Sequence, residues 1–425
     1  MPADKFSPRD EAIMTVNDEA GGRGAFPAYV LLFATLYAGF GVMSPFLPAL
    51  LQARGLRPEE IGLALALSTI VRLVTGPVAG RVADRLGALR SVFAASATAA
   101  AVCGLGFLSA HGFFQVVAVS VLYAAMLAPL TTTADALALS AAGPPTGKQR
   151  HFEYGWVRGA GSAAFIGGTL VAGQAIAGFG FDVIVWVGSA FLAAAAGAAA
   201  LVSTVQSAAP AKSDAEVEAS LRDLLRIREF RLLIVIAALV LGSHAMHDAF
   251  AVIRWEAAGI SPGTASVLWS ESVAAEIAVF VVAGPRVLDR FGPVFAMTVA
   301  ALAGILRWSV IACTADVTTM ALAEPLHGLS FALLHLACMR LIGRLVPANL
   351  AATAQAIYGT VAIGATTAMV TLLSGTLYGR FGASGFWVMA TLCASALPFI
   401  AALSRTTAAK GWLTRRKPAV GDAPR

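Results

Sequence analysis

Long apolar runs alternate with short polar stretches along most of the sequence, from Pro27 to Leu403. A helix needs about 20 mostly apolar residues to cross a bilayer, and twelve runs have roughly that length. Helices are the expected structure, because open strands would leave backbone N–H and C=O groups unpaired in hydrocarbon. The pattern therefore predicts twelve transmembrane helices, at residues 27–51, 61–79, 92–110, 114–140, 154–177, 183–205, 230–252, 264–284, 294–313, 317–339, 353–377 and 386–403.

The longest internal polar stretch lies between the sixth and seventh runs and divides the chain into two halves of six spans. Apolar residues recur in it at helical spacing, which predicts either a helix on the inner membrane surface or a solvated linker helix. The predicted organisation is a cytoplasmic N-terminal tail at 1–26, a first six-helix bundle at 27–205, the cytoplasmic linker helix at 206–229, a second six-helix bundle at 230–403 and a basic cytoplasmic tail at 404–425.

The composition excludes an ordinary soluble protein. Apolar residues make up 58% of the 425 positions and charged residues 13%, about half of the roughly 25% in soluble domains. With both termini inside, 23 of the 30 Lys and Arg residues fall on the inner side and four on the outer side. This bias predicts a multi-pass protein of a bacterial-type inner (plasma) membrane with cytoplasmic termini. It also explains the net charge of +6 without a nucleic-acid partner.

Two short segments recur at nearly one offset, as expected for the two repeated halves of a rocking transporter. Residues 81–87 and 286–292 share the pattern Arg-Val-x-Asp-Arg-x-Gly and lie 205 positions apart, and Tyr154-Gly155 and Tyr358-Gly359 lie 204 apart. The first pair is predicted to form loops in which glycine permits a tight turn and Arg and Asp pair between helix ends as a gating latch. A simple positive-inside anchor is the alternative. The predicted gating residues are Arg81, Asp84, Arg85, Asp289 and Arg290.

Several further motifs, spread over nearly the whole chain, are specific enough to compare with known transporters. They are Arg72 before Gly76-Pro77, Tyr154-Gly155 with Arg158 and Gly161-Ser162, Gly242-Ser243-His244-Ala245, Leu268-Trp269, Ala275-Glu276-Ile277, Arg307-Trp308 and Leu326-His327-Gly328 with Phe331 and His335. Together with the repeated loop, which resembles the signature loop of the major facilitator superfamily, they resemble the phenylpropionate permease family, a relative of the lactose and nucleoside proton symporters. The resemblance implies an all-α integral membrane fold of twelve transmembrane helices in two six-helix pseudo-repeats.

Ionisable side chains inside the predicted spans are candidates for function. A charge at the membrane centre costs about 2.5–3.5 kcal/mol on insertion scales, so these side chains are expected to face the protein interior or to pair. Apart from histidines and from Arg231, which lies at the inner edge of the seventh span, there are eight: Arg72, Asp135, Arg158, Asp248, Glu271, Glu276, Arg307 and Glu324.

Asp135 and Arg158 are the first predicted pair, on adjacent spans joined by a short loop. A guanidinium in this position binds a carboxylate through two parallel hydrogen bonds. We therefore predict that Arg158 holds the carboxylate of a substrate and that Asp135 positions Arg158. A purely structural salt bridge is the alternative.

Glu276, Arg307, Glu324 and His327 form the second predicted cluster, on the eighth to tenth spans. Burial raises the pKa of a carboxyl group and an adjacent arginine lowers it, so such a group can bind and release a proton. The resemblance supports proton coupling here, because related proton symporters keep a carboxylate, an arginine and a histidine on these spans. A fixed Glu276–Arg307 ion pair is the alternative.

Four further side chains are predicted to contact substrate: His244, Asp248, Trp269 and Phe331. His244 and Asp248 are four residues apart, so we expect them to hydrogen-bond along one helix face. A metal site that includes His247 is a weaker alternative, and neither a metal nor a cofactor is predicted.

The combined patterns predict a secondary active transporter that works by alternating access. The resemblance implies proton-coupled symport of a small aromatic acid such as 3-phenylpropionate. The alternatives are an exporter or antiporter of drugs or metabolites, a nucleoside or sugar proton symporter, and, more remotely, a membrane enzyme or sensor. An enzyme is not expected, since no nucleophile–base set or phosphate-binding loop is present. The expected partners are a small-molecule substrate, a proton and the lipid bilayer, and the chain is expected to be monomeric.

Overall fold

The structure is a computed structural model that describes residues 8–142, 152–202 and 222–409. The side chains of residues 8–25, 84 and 407–409 are not among those described. Every regular element in the described ranges is a helix, which confirms the all-α prediction. The predicted linker helix and the two tails lie partly outside the described residues, at 203–221, 1–7 and 410–425.

Helices of the first half follow the predicted spans, with two interruptions. The helix of the first span stops at Met43 and resumes at Leu47, and that of the fourth span is broken between Leu127 and Leu130. Pro129 lies in the second break, where its ring cannot donate the backbone hydrogen bond that would continue the helix. The described helices are α1 Pro8–Met43, α2 Leu47–Ala53, α3 Pro58–Leu86, α4 Leu89–Leu105, α5 Gly112–Leu127, α6 Leu130–Ala142, α7 Tyr154–Phe179 and α8 Asp182–Ala198.

Helices of the second half include three π-helical segments, at Val279–Ala283, Gly328–Leu333 and Tyr358–Ala365. Such segments take an extra residue in the helical turn and are frequent at functional sites. The α-helices are α9 Arg228–Gly242, α10 Ala245–Ala257, α11 Pro262–Ala278, α12 Gly284–Cys313, α13 Val317–Ala323, α14 Leu334–Leu345, α15 Ala351–Ile357, α16 Thr366–Phe381 and α17 Phe386–Ala409.

Ten helical segments of the described chain are long and apolar enough to cross a membrane. Two of them, Pro262–Cys313 and Ala348–Thr406, contain 52 and 59 residues, which is long enough for two crossings each. Each is broken at a glycine with positive φ, Gly292 at 81° and Gly382 at 54°. The ten segments therefore accommodate the twelve predicted crossings.

The repeated Arg-Val-x-Asp-Arg-x-Gly motif has the same local structure in both copies. Helix α3 continues through Leu86 and ends before Gly87, which has a φ of 59°; the helical turn before Gly292 ends in the same way. The prediction that these residues form loops is wrong, because Arg, Ala and Leu favour helix and extend it beyond the apolar run. The predicted tight turn at each glycine is confirmed, since glycine most readily takes the left-handed conformation at a helix end.

Contacts divide the described chain into two units. The first contains residues 8–142 and 152–202 with Asp248–Ser270 and Thr371–Gly379, and the second contains residues 222–247, Glu271–Val370 and 380–409. Two segments from the second half of the sequence thus belong to the first unit.

Close helix packing joins these two segments to the rest of the first unit. A Cβ atom on Gly62 would lie 2.8 Å from the Cα atom of Gly375, and a Cβ atom on Gly173 would lie 2.6 Å from the carbonyl oxygen of Pro262. The rings of Phe250 and Tyr378 stack with centroids 4.6 Å apart and join the two segments to each other. Helices in membranes pack closely where small residues let their backbones approach.

Many large apolar side chains are exposed on the outer surface of the helices. Phe114, Phe179 and Leu322 are 84%, 81% and 77% exposed. Soluble monomers rarely expose apolar area on this scale, so these faces are suited to lipid.

Candidate functional site

Asp135 and Tyr154 are joined by a side-chain hydrogen bond in the first unit. The Tyr154 hydroxyl, at the start of α7, donates to Oδ1 of Asp135 on α6 over 2.8 Å. Both side chains are half-buried. The sequence singled out Tyr154 as part of the repeat but did not identify it as the partner of Asp135.

Arg158 lies one turn further along α7 and contacts an aromatic ring. Its guanidinium carbon lies 4.5 Å from the centre of the Tyr37 ring, and the residue is exposed. Among the described side chains no ion pair within 4.0 Å joins Arg158 to Asp135, so the expected direct pair is not formed. The physical reason is that Tyr154 satisfies the carboxylate and the Tyr37 ring attracts the guanidinium.

The Arg158 guanidinium also hydrogen-bonds the Tyr37 hydroxyl, and its other N–H groups can bind an anion. A cation over an aromatic ring is stabilised by about 0.5–1 kcal/mol at an exposed site, which holds its direction without neutralising its charge. The Tyr37 ring in turn packs edge-on against Phe40, with centroids 5.6 Å apart. The site therefore combines a positive group with aromatic surface.

Arg307 and Glu324 form a fully buried ion pair in the second unit. Nη2 of Arg307 lies 2.5 Å from Oε2 of Glu324, and both side chains are 0% exposed. The Ser272 hydroxyl donates to the same oxygen over 2.6 Å. Burying both charges is favourable only when their remaining hydrogen-bonding atoms are also satisfied.

His247 contacts both members of this ion pair. Its Nε2 lies 3.2 Å from Oε1 of Glu324 and 3.2 Å from Nη2 of Arg307. A protonated Nε2 donates to the carboxylate, whereas an unprotonated Nε2 accepts from the guanidinium. The ring can therefore serve either neighbour, depending on its tautomer.

His327 connects Arg307 to Glu276. Nη1 of Arg307 lies 3.0 Å from Nδ1 of His327, and Nε2 of His327 lies 3.2 Å from Oε2 of Glu276. Because a guanidinium only donates, Nδ1 of His327 must accept, which places the ring proton on Nε2, where it is donated to Glu276. The side chains of His327 and Glu276 are 15% and 26% exposed, so this pair is more accessible than the ion pair behind it.

His244 lies beside these residues and is almost fully buried. Its Nδ1 is 3.1 Å from the Val240 carbonyl oxygen, which only accepts, and its Nε2 is 3.0 Å from the Ser330 hydroxyl. In the neutral ring Nδ1 therefore donates and Nε2 accepts. Phe331 stacks on the ring of His327, with centroids 5.3 Å apart and planes 8° apart.

Two other predicted substrate contacts, Asp248 and Trp269, do not belong to the second unit. Asp248, which is exposed, and Trp269, which is half-buried, belong to the first unit, whereas His244 belongs to the second. The helix is interrupted at Ser243 and His244, so His244 and Asp248 do not lie on one continuous helix as expected. In the described chain no group of three or more His, Cys, Asp or Glu residues is arranged to hold a metal ion.

The predicted gating residues are distributed over both units. Asp289 forms an ion pair with Arg340, with Oδ1 2.5 Å from Nη1, and Arg290 lies 5.2 Å above the ring of Phe291. Arg81 and Arg85 are exposed, and the side chain of Asp84 is outside the described residues. The Asp289–Arg340 pair joins α12 to α14, and the gating role of the predicted residues stays a prediction.

Sequence reasoning missed several partners of the two clusters. Ser272 and Ser330 are polar residues in apolar runs, with no spacing pattern that marks them. His247 was considered only as part of a metal site. His247 lies three residues after His244, and two histidines in one span are unusual for a purely apolar helix. This spacing was the signal that could have marked His247 as a partner of the buried charges.

Comparison with known proteins identifies relatives over most of the chain. Residues 28–389 match the MFS_1 like family. The chain is 28% identical over 366 residues to the probable 3-phenylpropionic acid transporter of Escherichia coli (strain K12), covering 86% of this chain and 94% of that protein. It is 27% identical over 376 residues to the maltose permease of Geobacillus stearothermophilus, covering 88% and 92%.

Solved structures share the fold. The nucleoside transporter NupG superposes with a TM-score of 0.74 at 16% identity, covering 89% of this chain and 98% of that one. The POT family transporter PepTSo superposes with a TM-score of 0.71 at 11% identity, covering 92% of this chain and 99% of that one. At these identities the likeness concerns the fold alone.

Proposed function

Since this chain belongs to the MFS_1 like family and is a membrane transporter rather than an enzyme, we propose that it is a proton-coupled symporter of a small aromatic carboxylate. The observation that carries the substrate class is the exposed Arg158 guanidinium above the Tyr37 ring. A guanidinium binds a carboxylate through paired hydrogen bonds, and nearby aromatic rings pack against an aromatic substrate. The name of the Escherichia coli relative, a probable 3-phenylpropionic acid transporter, supports the same class.

The proposed proton carriers are Glu276 and His327. With neutral histidines, the charges of Arg307, Glu324 and Glu276 add to one negative charge, so one bound proton neutralises the group. Glu324 already accepts hydrogen bonds from Arg307 and Ser272 and is enclosed, which favours a fixed charge there. Glu276 is partly exposed and lies 3.2 Å from Nε2 of His327, a side chain that can itself take up a proton, which favours proton exchange at this position.

Uptake by proteoliposomes tests the proposal. Purified protein is reconstituted, and entry of labelled 3-phenylpropionate is followed with an imposed pH gradient, with and without a protonophore. We expect the gradient to drive accumulation and the protonophore to abolish it. Accumulation that ignores the gradient would reject proton coupling.

Substitutions of Arg158 test the substrate class in the same vesicles. Arg158→Gln removes the charge and is expected to weaken binding by about 1.5–3 kcal/mol, the range for a hydrogen bond to a charged group. Arg226→Gln is the matched control, since the Arg226 side chain is 82% exposed and pairs with Asp223 within a short helical segment at 222–226. Equal uptake by both variants would argue against Arg158 as the carboxylate site.

A sugar is the second candidate substrate, because the chain matches the maltose permease over 88% of its length at nearly the same identity. A neutral sugar needs no guanidinium. Maltose uptake that persists in Arg158→Gln, together with no uptake of 3-phenylpropionate by the unmodified protein, would favour this alternative.

A further inference from the structure

The repeated Tyr-Gly segments place a tyrosine next to a titratable side chain in both halves. Tyr154 hydrogen-bonds Asp135 over 2.8 Å, and Tyr358, its counterpart 204 positions later, lies 3.0 Å from Nδ1 of His335. In each half the titratable residue lies on the span before the tyrosine. The repeat therefore extends to a pair of side chains, although the titratable member has changed from an acid to a base.

His335 has a defined set of neighbours within the second unit. The Tyr358 side chain is 2% exposed and the Cys338 thiol, within reach of its hydroxyl, is fully buried. The ring of Phe280 meets the His335 ring edge-on at 5.9 Å, and the charge of Glu276, one turn before Phe280, also acts on His335. His335 itself is half-buried, and its Nε2 has no hydrogen-bond partner among the described residues.

The backbone brings His335 into line with the Glu276–His327 pair. His327 and His335 are eight residues apart, which is about 2.2 turns of an α-helix. The π segment Gly328–Leu333 lies between them and takes more residues per turn, so the two rings come closer to one helix face. On the neighbouring span, Glu276 and Phe280 meet His327 and His335 in the same order.

Tyr358 is a suitable partner for His335 in both protonation states. A hydroxyl can donate and accept at the same time, so it accepts from Nδ1–H of His335 while its own proton points toward Cys338. Nε2 then has a lone pair that can accept a proton. When a proton reaches Nε2, an O–H bond of the donating water molecule breaks and an N–H bond forms, and that water regains its proton from the Glu276–His327 pair; no electrons are transferred.

We propose that His335, held by Tyr358, is a further proton-binding side chain of this transporter, between the Glu276–His327 pair and the arginine-bearing end of the same span. The proposal rests on the proposed function, since it takes a proton that Glu276 and His327 release. Eight residues of helix correspond to about 12 Å, so the proton moves between the two places along water. Arg340 and Arg344 follow on the same helix and mark the end expected to face the cytoplasm.

Two transport measurements on His335→Gln test the proposal. Glutamine keeps a hydrogen-bonding side chain next to Tyr358 but does not titrate. We expect gradient-driven net uptake to fall by about 100-fold, the lower end of typical contributions from a positioned proton-transfer group. Exchange of internal for external substrate at equal pH needs no net proton release, so it should stay within about twofold of the unmodified protein.

His111→Gln is the matched control, because His111 lies in a short connection before α5 and outside both clusters. Net uptake by His335→Gln equal to that of the control would overturn the proposal while leaving the proposed function intact. If His335→Gln loses exchange and net uptake together, a second variant, Tyr358→Phe, which removes one hydroxyl, decides the outcome. A shift in the pH dependence of its net uptake, with exchange unchanged, would support the proposal. Without that shift, the proposal is overturned. If net uptake by the unmodified protein ignores the pH gradient, the proposed function fails, and the role of His335 fails with it.

Discussion

The buried polar side chains around Arg307 in the second unit stabilise one another. Arg307 donates to Glu324 and to His327 and packs against Trp308, with its guanidinium carbon 4.6 Å from the ring centre. Arg307 and Glu324 are both 0% exposed, so removing either one leaves the other buried without its ion-pair partner. A single substitution in this set should therefore affect stability before it affects chemistry.

Arg307→Met is expected to lower the free energy of unfolding by about 3–5 kcal/mol, because it leaves the Glu324 carboxylate buried without a cation. The double variant Arg307→Met with Glu324→Gln should recover most of this loss, since the buried charge is removed as well. Thermal unfolding of the detergent-solubilised protein measures both effects.

Arg226→Met serves as the control for this pair of variants, since the exposed Arg226 side chain should contribute little to stability. Equal instability of the single and double variants would show that the lost contacts matter more than the unpaired charge.

At the scale of helices, close packing and helix ends determine stability. Helix α3 offers a matched comparison, because a Cβ on Gly62 would lie 2.8 Å from Cα of Gly375 and 3.0 Å from the carbonyl oxygen of Thr371, whereas a Cβ on Gly80 would meet nothing within 4 Å. Backbone atoms cannot move aside as a flexible side chain can.

Gly62→Ala is therefore expected to destabilise the protein by about 1–3 kcal/mol, the range for an overpacked site. Gly80→Ala should be neutral or stabilising by up to about 1 kcal/mol, because alanine favours helix. Thermal unfolding of the two variants side by side measures the difference, and equal midpoints would show that α3 is free to move away from Gly375.

Helix α13 begins at a cap outside the membrane-spanning part. The Thr319 backbone N–H and hydroxyl donate to Oδ2 of Asp316 over 2.8 and 2.9 Å, which lowers the pKa of the Asp316 carboxyl below its usual value. A lowered folded-state pKa means that the cap stabilises the helix above the unfolded pKa of about 3.9 and loses this effect as pH falls through the folded value.

Hydrogen exchange of the first α13 amides should accelerate, relative to the intrinsic rate, as pH falls below about 4 in the unmodified protein. Asp316→Asn caps without titrating, so its protection should change little over the same range. Asp316→Ala should lack the protection at every pH. Identical pH dependence in the aspartate and asparagine forms would contradict a contribution from the carboxylate.

At the scale of the whole molecule, the distribution of Lys and Arg predicts how the chain lies in the membrane. A membrane-impermeant maleimide applied to intact cells should label His111→Cys, in an outer connection, and spare Arg85→Cys, on the inner side, in a chain without native cysteines. Permeabilised cells should label both. The opposite pattern would reverse the predicted orientation.

Much of the architecture was predictable from the sequence. The apolar runs located the crossings, and the repeated motif predicted equivalent turns at Gly87 and Gly292, both of which have positive φ. The length of the helices before these glycines was not predicted, because polar residues with good helix propensity extend a helix beyond its apolar run without a change in pattern.

The sequence by itself determined the helical class, the number of crossings, the repeat and the identity of the intramembrane charges, because bilayer thickness and the cost of buried charge act on local composition. Only the tertiary structure decided which side chains meet: Tyr154 rather than Arg158 at Asp135, and Ser272 and His247 at Glu324. A helix that is apolar on every side gives no signal for its rotation, and a π segment changes its register without a mark in the apolar pattern. Partner choice therefore depends on how neighbouring helices pack, which no single segment specifies.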